Sequence, residues 1–187
     1  MKLLIILSLI FFSFEEDVSC HRYTPVNDIK ECFSKDTGNK FTTCCGHNTT
    51  SEYSSRIQCT DIGNTKATKN FWKEVWELQA KASGGTSDFQ CPEKNVQIKG
   101  YCENFVGAGI LVDDPKQCTK LRMKSTKDRR TCCGLKIRTI INEGGIFYNK
   151  TLYTCWELSI NPKQKEEFIN ELNNKTDEHS YIEGYVC

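Results

Sequence analysis

Two stretches of the chain, 68–81 and 163–173, space their apolar residues for one face of a helix. In the first stretch Trp72, Val75 and Trp76 share one face with the polar Gln79, and in the second the positions are Phe168, Ile169 and Leu172. Residues three and four apart share one side of an α-helix, so each stretch predicts an amphipathic helix. Tryptophans at this spacing usually belong to a core, and docking of a partner by one of them is the alternative.

Elsewhere the pattern predicts strands and helix starts. Ile, Thr, Tyr and Phe dominate 135–141 and 146–158, and an Asn-Glu-Gly-Gly turn separates the two as in a hairpin. Asp114 before Pro115 predicts a helix start, and Asn27 takes the capping role in the earlier half. A short strand follows each amphipathic helix. The order helix, hairpin, helix, strand predicts an α+β fold of two small modules, each with a helix packed on a short antiparallel sheet.

The first residues form an apolar run that ends at an acidic cluster. A lysine precedes the run over 3–14, and three acidic residues stop it. A helix of about 12 residues spans about 18 Å, which is short of the ~30 Å hydrocarbon core of a bilayer. We therefore expect a secretory signal peptide over 1–19, cut between Phe14 and Cys20, and no membrane span.

All 12 cysteines follow this leader and fall into two sets of six. The sets are Cys20, Cys32, Cys44, Cys45, Cys59 and Cys91, then Cys102, Cys118, Cys132, Cys133, Cys155 and Cys187. Both sets contain Cys-Cys-Gly and close with a step of 32 residues. Overlaying the closing segments places Trp72 on Phe168, Trp76 on Leu172, Ile62 on Leu158 and Phe89 on Tyr185. The pattern predicts an internal duplication, with module 1 over 20–91, a linker over 92–101 and module 2 over 102–187.

Cysteine at this density, about 7% of the residues after the leader, is typical of disulfide scaffolds in an oxidising compartment. Six cysteines can pair in 15 ways, and the spacing does not choose among them. Adjacent residues of a strand point to opposite faces, so the twin cysteines of each module should reach different partners. We expect six bridges, three inside each module and none between the modules.

Three Asn-x-Thr sequons are present, at Asn48, Asn149 and Asn174. Behind a signal peptide, such sequons are acceptors for surface N-glycans. We expect at least two of them to be exposed and modified. Asn149 falls inside a predicted strand, so its side chain must face outward.

The stretch 116–130 is basic, with seven Lys and Arg and one acidic residue. The basic residues are Lys116, Lys120, Arg122, Lys124, Lys127, Arg129 and Arg130. One interpretation is a binding patch for an acidic glycan or an acidic protein partner. The other, which the sequence alone favours, is a solvated loop between two cysteines. The full chain holds 25 Lys and Arg against 24 Asp and Glu, and this balance does not indicate a nucleic-acid partner.

Catalytic and metal-binding patterns are weak. The three histidines, His21, His47 and His179, do not accompany a serine or cysteine in a recognisable catalytic motif. Paired acids such as Asp113 and Asp114 stand at a predicted helix start, where the helix dipole favours them. Structural zinc sites use cysteines two to four residues apart, and the close pairs here are adjacent. We expect no catalytic residue, no metal and no cofactor.

The cysteine order resembles that of a known family. The carriers of the resemblance are Cys44, Cys45, Cys59 and Cys91, then Cys132, Cys133, Cys155 and Cys187. The order of single, twin, single and closing cysteine looks like the uncharacterised secreted twin-cysteine modules that are numerous in ciliated protists. The resemblance covers Cys20 to Cys187. It implies secretion or a surface location and brings no activity or active-site residue.

Together these features predict a non-enzymatic secreted glycoprotein that serves as a structural, assembly or adhesion unit of an extracellular coat, matrix or fibre. Its partner would be itself, in a homo-oligomer or filament joined at a strand edge near Cys91 or Cys187, or an extracellular protein or glycan. The first alternative is a secreted binding or signalling protein, such as a mating factor, effector or inhibitor. The third possibility is a secreted enzyme on a disulfide scaffold.

Overall fold

The computed structural model describes residues 20, 24–51, 54–93, 98–103, 109–124, 129–143, 146–175 and 179–187, without the side chains of 24, 141–143 and 146–148. The predicted leader, Lys127 and the tip of the predicted hairpin at 144–145 lie outside these ranges. No helix within the described ranges is long and apolar enough to cross a membrane.

Each half of the chain folds as a short 3₁₀ helix, a hairpin, an α-helix and a closing strand. Module 1 contains β1 (Thr24–Pro25), a first 3₁₀ helix (Ile29–Ser34), β2 (Thr42–Thr50), β3 (Ser55–Gly63), α1 (Lys66–Ala82) and β4 (Thr86–Gln90). Module 2 contains a second 3₁₀ helix (Pro115–Lys120), β5 (Arg130–Glu143), β6 (Ile146–Ser159), α2 (Pro162–Lys175) and β7 (Ser180–Val186). The predicted α+β class is confirmed, and both amphipathic helices extend slightly beyond their apolar patterns.

The twin-cysteine strand lies at the centre of each antiparallel sheet. The strand order is β1-β3-β2-β4 in module 1 and β6-β5-β7 in module 2. In both sheets the glycine after the twin cysteines faces the fifth cysteine on one side and the residue before the sixth on the other. Ile62 and Leu158 therefore occupy matching positions, as do Phe89 and Tyr185. The two sheets share one register, which is what a duplication requires.

Capping residues set the start of both 3₁₀ helices. Asp114 caps the second, as predicted. The first is capped by Asp28 and not by Asn27, so the prediction is wrong at that point. The Asp28 carboxylate accepts from the N–H of Lys30 at 2.8 Å, and the Glu31 carboxylate accepts from the N–H of Asp28 at 3.1 Å. Asn27 lies one residue too early for this reciprocal pair.

All twelve cysteines are joined in six disulfides. The bridges are Cys20–Cys44, Cys32–Cys59 and Cys45–Cys91, then Cys102–Cys132, Cys118–Cys155 and Cys133–Cys187. Both modules join the first cysteine of the set to the third, the second to the fifth and the fourth to the sixth. The twin cysteines thus reach different partners, as strand geometry predicts, and each of the six bridges stays within one module.

The glycine after each twin-cysteine pair lies where a 3₁₀ helix crosses the sheet. A Cβ atom on Gly46 would stand 2.7 Å from the carbonyl oxygen of Ile29. A Cβ atom on Gly134 would stand 2.2 Å from the carbonyl oxygen of Pro115. Both separations are too short for a side-chain carbon, because ordinary contact begins well above 3 Å. The Cys-Cys-Gly signature is therefore a requirement for close packing of the backbone.

The opposite face of each sheet carries the α-helix. In module 2 this core is apolar and consists of Cys133, Leu135, Leu158, Ile169 and Ile182, with Ile137, Trp156, Phe168 and Leu172 packed against it. In module 1 the sheet presents His47, which is 2% exposed and stacks on Trp76 with ring centroids 4.1 Å apart. Trp72 lies next to Trp76, at 6.1 Å between centroids. Trp76 thus belongs to the helix–sheet packing, with Trp72 half-buried beside it.

The two modules meet where 110–112 of module 2 crosses the start of α1. The Thr65 hydroxyl donates to the carbonyl oxygen of Leu111 at 2.6 Å, and the N–H of Leu111 donates to the Thr68 hydroxyl at 2.9 Å. Leu111 also forms an antiparallel bridge with Thr154 at the edge of β6. This short segment therefore contributes to both modules at once.

Candidate ligand-binding cleft

A short parallel pairing brings the end of the predicted linker beside the basic stretch. The N–H of Arg122 donates to the carbonyl oxygen of Gly100 at 3.0 Å, and the N–H of Cys102 donates to that of Arg122 at 3.0 Å. Tyr101 faces Arg122 in this bridge. Disulfides from Cys102 to β5 and from Cys118 to β6 tie the two arms to the sheet of module 2. The backbone on both sides is therefore fixed by hydrogen bonds and covalent links.

A cleft of about 640 Å³ opens between these arms. Its lining includes Ile98, Lys99, Tyr101, Gln117, Lys120 and Arg122. Ligand sites in proteins commonly measure about 300–1,000 Å³, so the cleft is of suitable size. Two of its residues, Lys120 and Arg122, come from the predicted basic patch. Lys99 and Tyr101 come from the linker and were not indicated by the sequence pattern.

Three cations of this cleft have no acidic partner within the described ranges. Lys99, Lys120 and Arg122 are exposed, and none joins an ion pair with a described carboxylate. Lys124, by contrast, lies 2.7 Å from Glu103, and the hydrogen bond to Glu103 raises the pKa of Lys124. The charge of Lys124 is matched locally, whereas the three cleft cations can act on an external anion.

Tyr101 and Ile98 give the cleft its apolar surface. Tyr101 is 43% exposed, and Ile98 is half-buried and packs on the core cluster around Cys102. The side chain of Gln117 is already engaged, because its oxygen accepts from the N–H of Asp114 at 3.3 Å at the start of the second 3₁₀ helix. The cleft thus combines an aromatic ring, an aliphatic floor and fixed positive charge.

The structure divides the predicted basic patch. Arg129 and Arg130 line a second cleft of about 290 Å³ together with Phe168. Lys116 is exposed on the second 3₁₀ helix, and Lys127 lies outside the described residues. Of the seven predicted residues, two line the first cleft, two line the second and one is paired with an acid. The described residues of the basic stretch are therefore distributed over separate surfaces.

The sequon asparagines differ in exposure. Asn149 on β6 and Asn174 near the end of α2 are exposed. Asn48 is half-buried in β2, where its side-chain oxygen accepts from the Ser55 hydroxyl at 3.1 Å. Two of the three positions thus have the exposure that a glycan requires.

The histidines occupy unlike surroundings. His47 is buried, and burial followed by the charge of Arg56 lowers its pKa. His179 is exposed just before β7, and His21 lies outside the described residues. His47 therefore packs in a core, where the neutral imidazole is the favoured form.

One group of cysteine sulfurs lies close enough together to suggest a metal site. The sulfurs are those of Cys32, Cys44 and Cys59, all within 4.8 Å of one another. Each is bonded in a disulfide, and metals bind the thiolate form of cysteine. The proximity of these sulfurs follows from the packing of two bridges.

The chain matches no family model, no curated protein and no solved structure. The function is therefore inferred from the chemistry of the cleft.

Proposed function

We propose that the chain is a non-enzymatic extracellular glycoprotein that acts as an adhesion unit of a surface coat or matrix and holds an anionic partner in the cleft. The observation that carries this proposal is the group of three cations, Lys99, Lys120 and Arg122, that surround one cleft and join no ion pair with a carboxylate among the described residues. Six disulfides support an oxidising compartment. The resemblance to secreted twin-cysteine modules points in the same direction.

Clustered cations favour an anion more strongly than scattered ones. A single surface ion pair contributes only about 0–1 kcal/mol. Three cations in one cleft act together on one ligand and also attract it from a distance. The Arg122 guanidinium adds two parallel donors that fit a carboxylate or a sulfate. Because disulfides hold both arms before binding, little backbone freedom is lost when the anion enters.

Binding of dextran sulfate to the secreted protein tests the proposal, with neutral dextran as the uncharged probe. The triple variant Lys99→Gln/Lys120→Gln/Arg122→Gln should bind dextran sulfate at least about tenfold more weakly. This is a loss of about 1.4 kcal/mol in binding free energy. A control variant, Lys30→Gln/Lys66→Gln/Lys81→Gln, removes the same charge from exposed positions of module 1. If the two triple variants bound dextran sulfate equally well, the cleft would not be the anion-binding site.

Self-assembly is a second candidate, and the edges of the two sheets bear on it. β4 pairs with β2 in unbroken register, and within the described ranges its other edge has no partner strand. The pairing of β5 with β7 contains an irregularity at Lys136/Ile137, and such bulges protect edges from further pairing. Of the two closing strands, β4 is therefore better suited to a joint made by strand addition. Light scattering over a wide concentration range tests this, and a protein that stays monomeric throughout would exclude assembly.

A further inference from the structure

The cleft offers more than charge to a ligand. Tyr101 and Arg122 are direct partners in the parallel bridge, and both residues line the cleft. Ile98 extends the apolar surface next to them. A ligand that only matched the three cations would leave this aromatic and aliphatic surface exposed to water, and covering it contributes to binding.

Acidic ligands differ in whether they can cover such a surface. A peptide made only of aspartate and glutamate presents carboxylates on flexible stems and has no flat apolar face to place on the ring. A hexose presents a ring face of C–H groups with hydroxyls at its edge, so it can lie on an aromatic side chain while its substituents reach polar groups. A carboxylate or a sulfate on that ring also presents a pair of oxygens that can accept from the two donors of a guanidinium.

We infer that the cleft binds an acidic saccharide, with a sugar ring on Tyr101 and its sulfate or carboxylate at Arg122, flanked by Lys99 and Lys120. This inference depends on the proposed function and narrows the partner from any polyanion to a glycan. The positive charges of the cleft favour an anionic ligand, and the apolar surface beside them favours a ligand with a sugar ring.

Three polyanions of matched charge separate the possible ligands: dextran sulfate, polygalacturonate and poly-L-glutamate. The wild-type protein should bind at least one of the two polysaccharides more tightly than poly-L-glutamate, and the preferred polysaccharide shows whether sulfate or carboxylate is favoured. Tyr101→Ala should weaken polysaccharide binding about threefold to tenfold, as expected for loss of one aromatic contact. Binding of poly-L-glutamate should stay unchanged. Tyr101→Phe, which keeps the ring, should bind like the wild type.

Two further variants control for structure. Tyr181→Ala removes a tyrosine that is 44% exposed on β7 and should leave all three affinities unchanged. Tyr101→Leu keeps an apolar side chain next to Cys102 but has no flat ring, so it should repeat the loss seen with alanine. Non-reducing peptide mapping of the six bridges establishes that each variant is folded.

The outcomes distinguish this inference from the proposed function. Equal binding of poly-L-glutamate and both polysaccharides, or unchanged polysaccharide binding in Tyr101→Ala and Tyr101→Leu, would overturn the saccharide and leave a general anion site. If the triple lysine–arginine variant bound every polyanion as the wild type does, the cleft would not be an anion-binding site, and the proposed function would fail with it.

Discussion

The two modules share one backbone frame and fill it differently. His47 and Leu135 both lie two residues after the second twin cysteine, and they are 2% and 1% exposed. Leu135 packs among apolar residues, whereas His47 lies against Trp76. On the neighbouring strand, Trp156 of module 2 matches Thr60 of module 1. Both modules keep the bridges, the glycine and the capping residue, so the fold requires these features. The helix–sheet core, by contrast, can be built in two ways.

Loss of the disulfide between the second and fifth cysteines of a module should have the largest effect on stability. The effect should be the same in the two modules. Cys32–Cys59 and Cys118–Cys155 span 27 and 37 residues. Replacement of either pair by alanine should lower the free energy of unfolding by about 3–4 kcal/mol, because loop entropy changes slowly with loop length. Guanidinium unfolding without reductant measures this. A difference above about 2 kcal/mol between the two variants would contradict an equal role for the shared frame.

Alanine at the shared glycine should have the next largest effect and should distinguish the modules. Gly134→Ala should cost about 2–4 kcal/mol and Gly46→Ala somewhat less, because the carbonyl oxygen of Pro115 lies closer than that of Ile29. Gly184→Ala is the control, since nothing lies within 4 Å of its added Cβ atom. Urea unfolding measures all three. If Gly46→Ala and Gly134→Ala were both as stable as Gly184→Ala, close packing of the backbone would not explain the glycine of the Cys-Cys-Gly motif.

Acid should weaken module 1 through His47. Burial, and then the charge of Arg56, lowers the pKa of His47 below its ordinary value of 6.5. Below about pH 6.5 the unfolded chain binds a proton at His47 that the folded chain does not yet bind, so stability is complete above this pH and falls as the pH decreases.

The variant His47→Leu gives module 1 the residue of module 2 and should lose this acid dependence. Guanidinium midpoints at neutral and mildly acidic pH measure the difference, and His179→Gln, at an exposed position, is the control. Parallel loss of stability in the wild type and in His47→Leu would show that another group is responsible.

The smallest effect on stability should come from the glycan positions. Asn149→Gln and Asn174→Gln each change an exposed side chain and should alter unfolding by no more than about 0.5 kcal/mol. If the proposed glycosylation occurs, each should nevertheless lower the mass of the protein by one glycan. Asn48→Gln should change the mass little, because Asn48 is half-buried beside Ser55. A full glycan at Asn48 would contradict this distinction.

Local patterns predicted most of the fold. The two helices follow from apolar spacing around Trp72, Trp76, Phe168 and Leu172, and the hairpin follows from β-branched and aromatic runs on either side of a turn. The matching cysteine sets predicted the separation into three bridges per module. The capping prediction failed only at Asn27, because Asp28 and the glutamate three residues later satisfy the geometry better.

The cleft could not be predicted in the same way. Lys99 and Tyr101 reach Arg122 through a parallel pairing between distant segments, and no local spacing signals such a contact. The pairing of Lys124 with Glu103 is likewise non-local, so the sequence could not show which charges remain free. The cysteine connectivity also depended on three-dimensional proximity, since strand geometry excluded only a bridge within each twin pair.

The contact of Leu111 with α1 has a consequence for the order of events during synthesis. Module 1 has all six of its cysteines once Cys91 has been made, yet the partner of Thr68 lies 43 positions further along the chain. A nascent chain therefore can close three disulfides while the first turn of α1 still faces water. Thr68, which is 1% exposed in the finished protein, gains its hydrogen bond from the N–H of Leu111 only when the next module begins to form. The contacts of the first module are thus complete only after Leu111 of the second module has been synthesised.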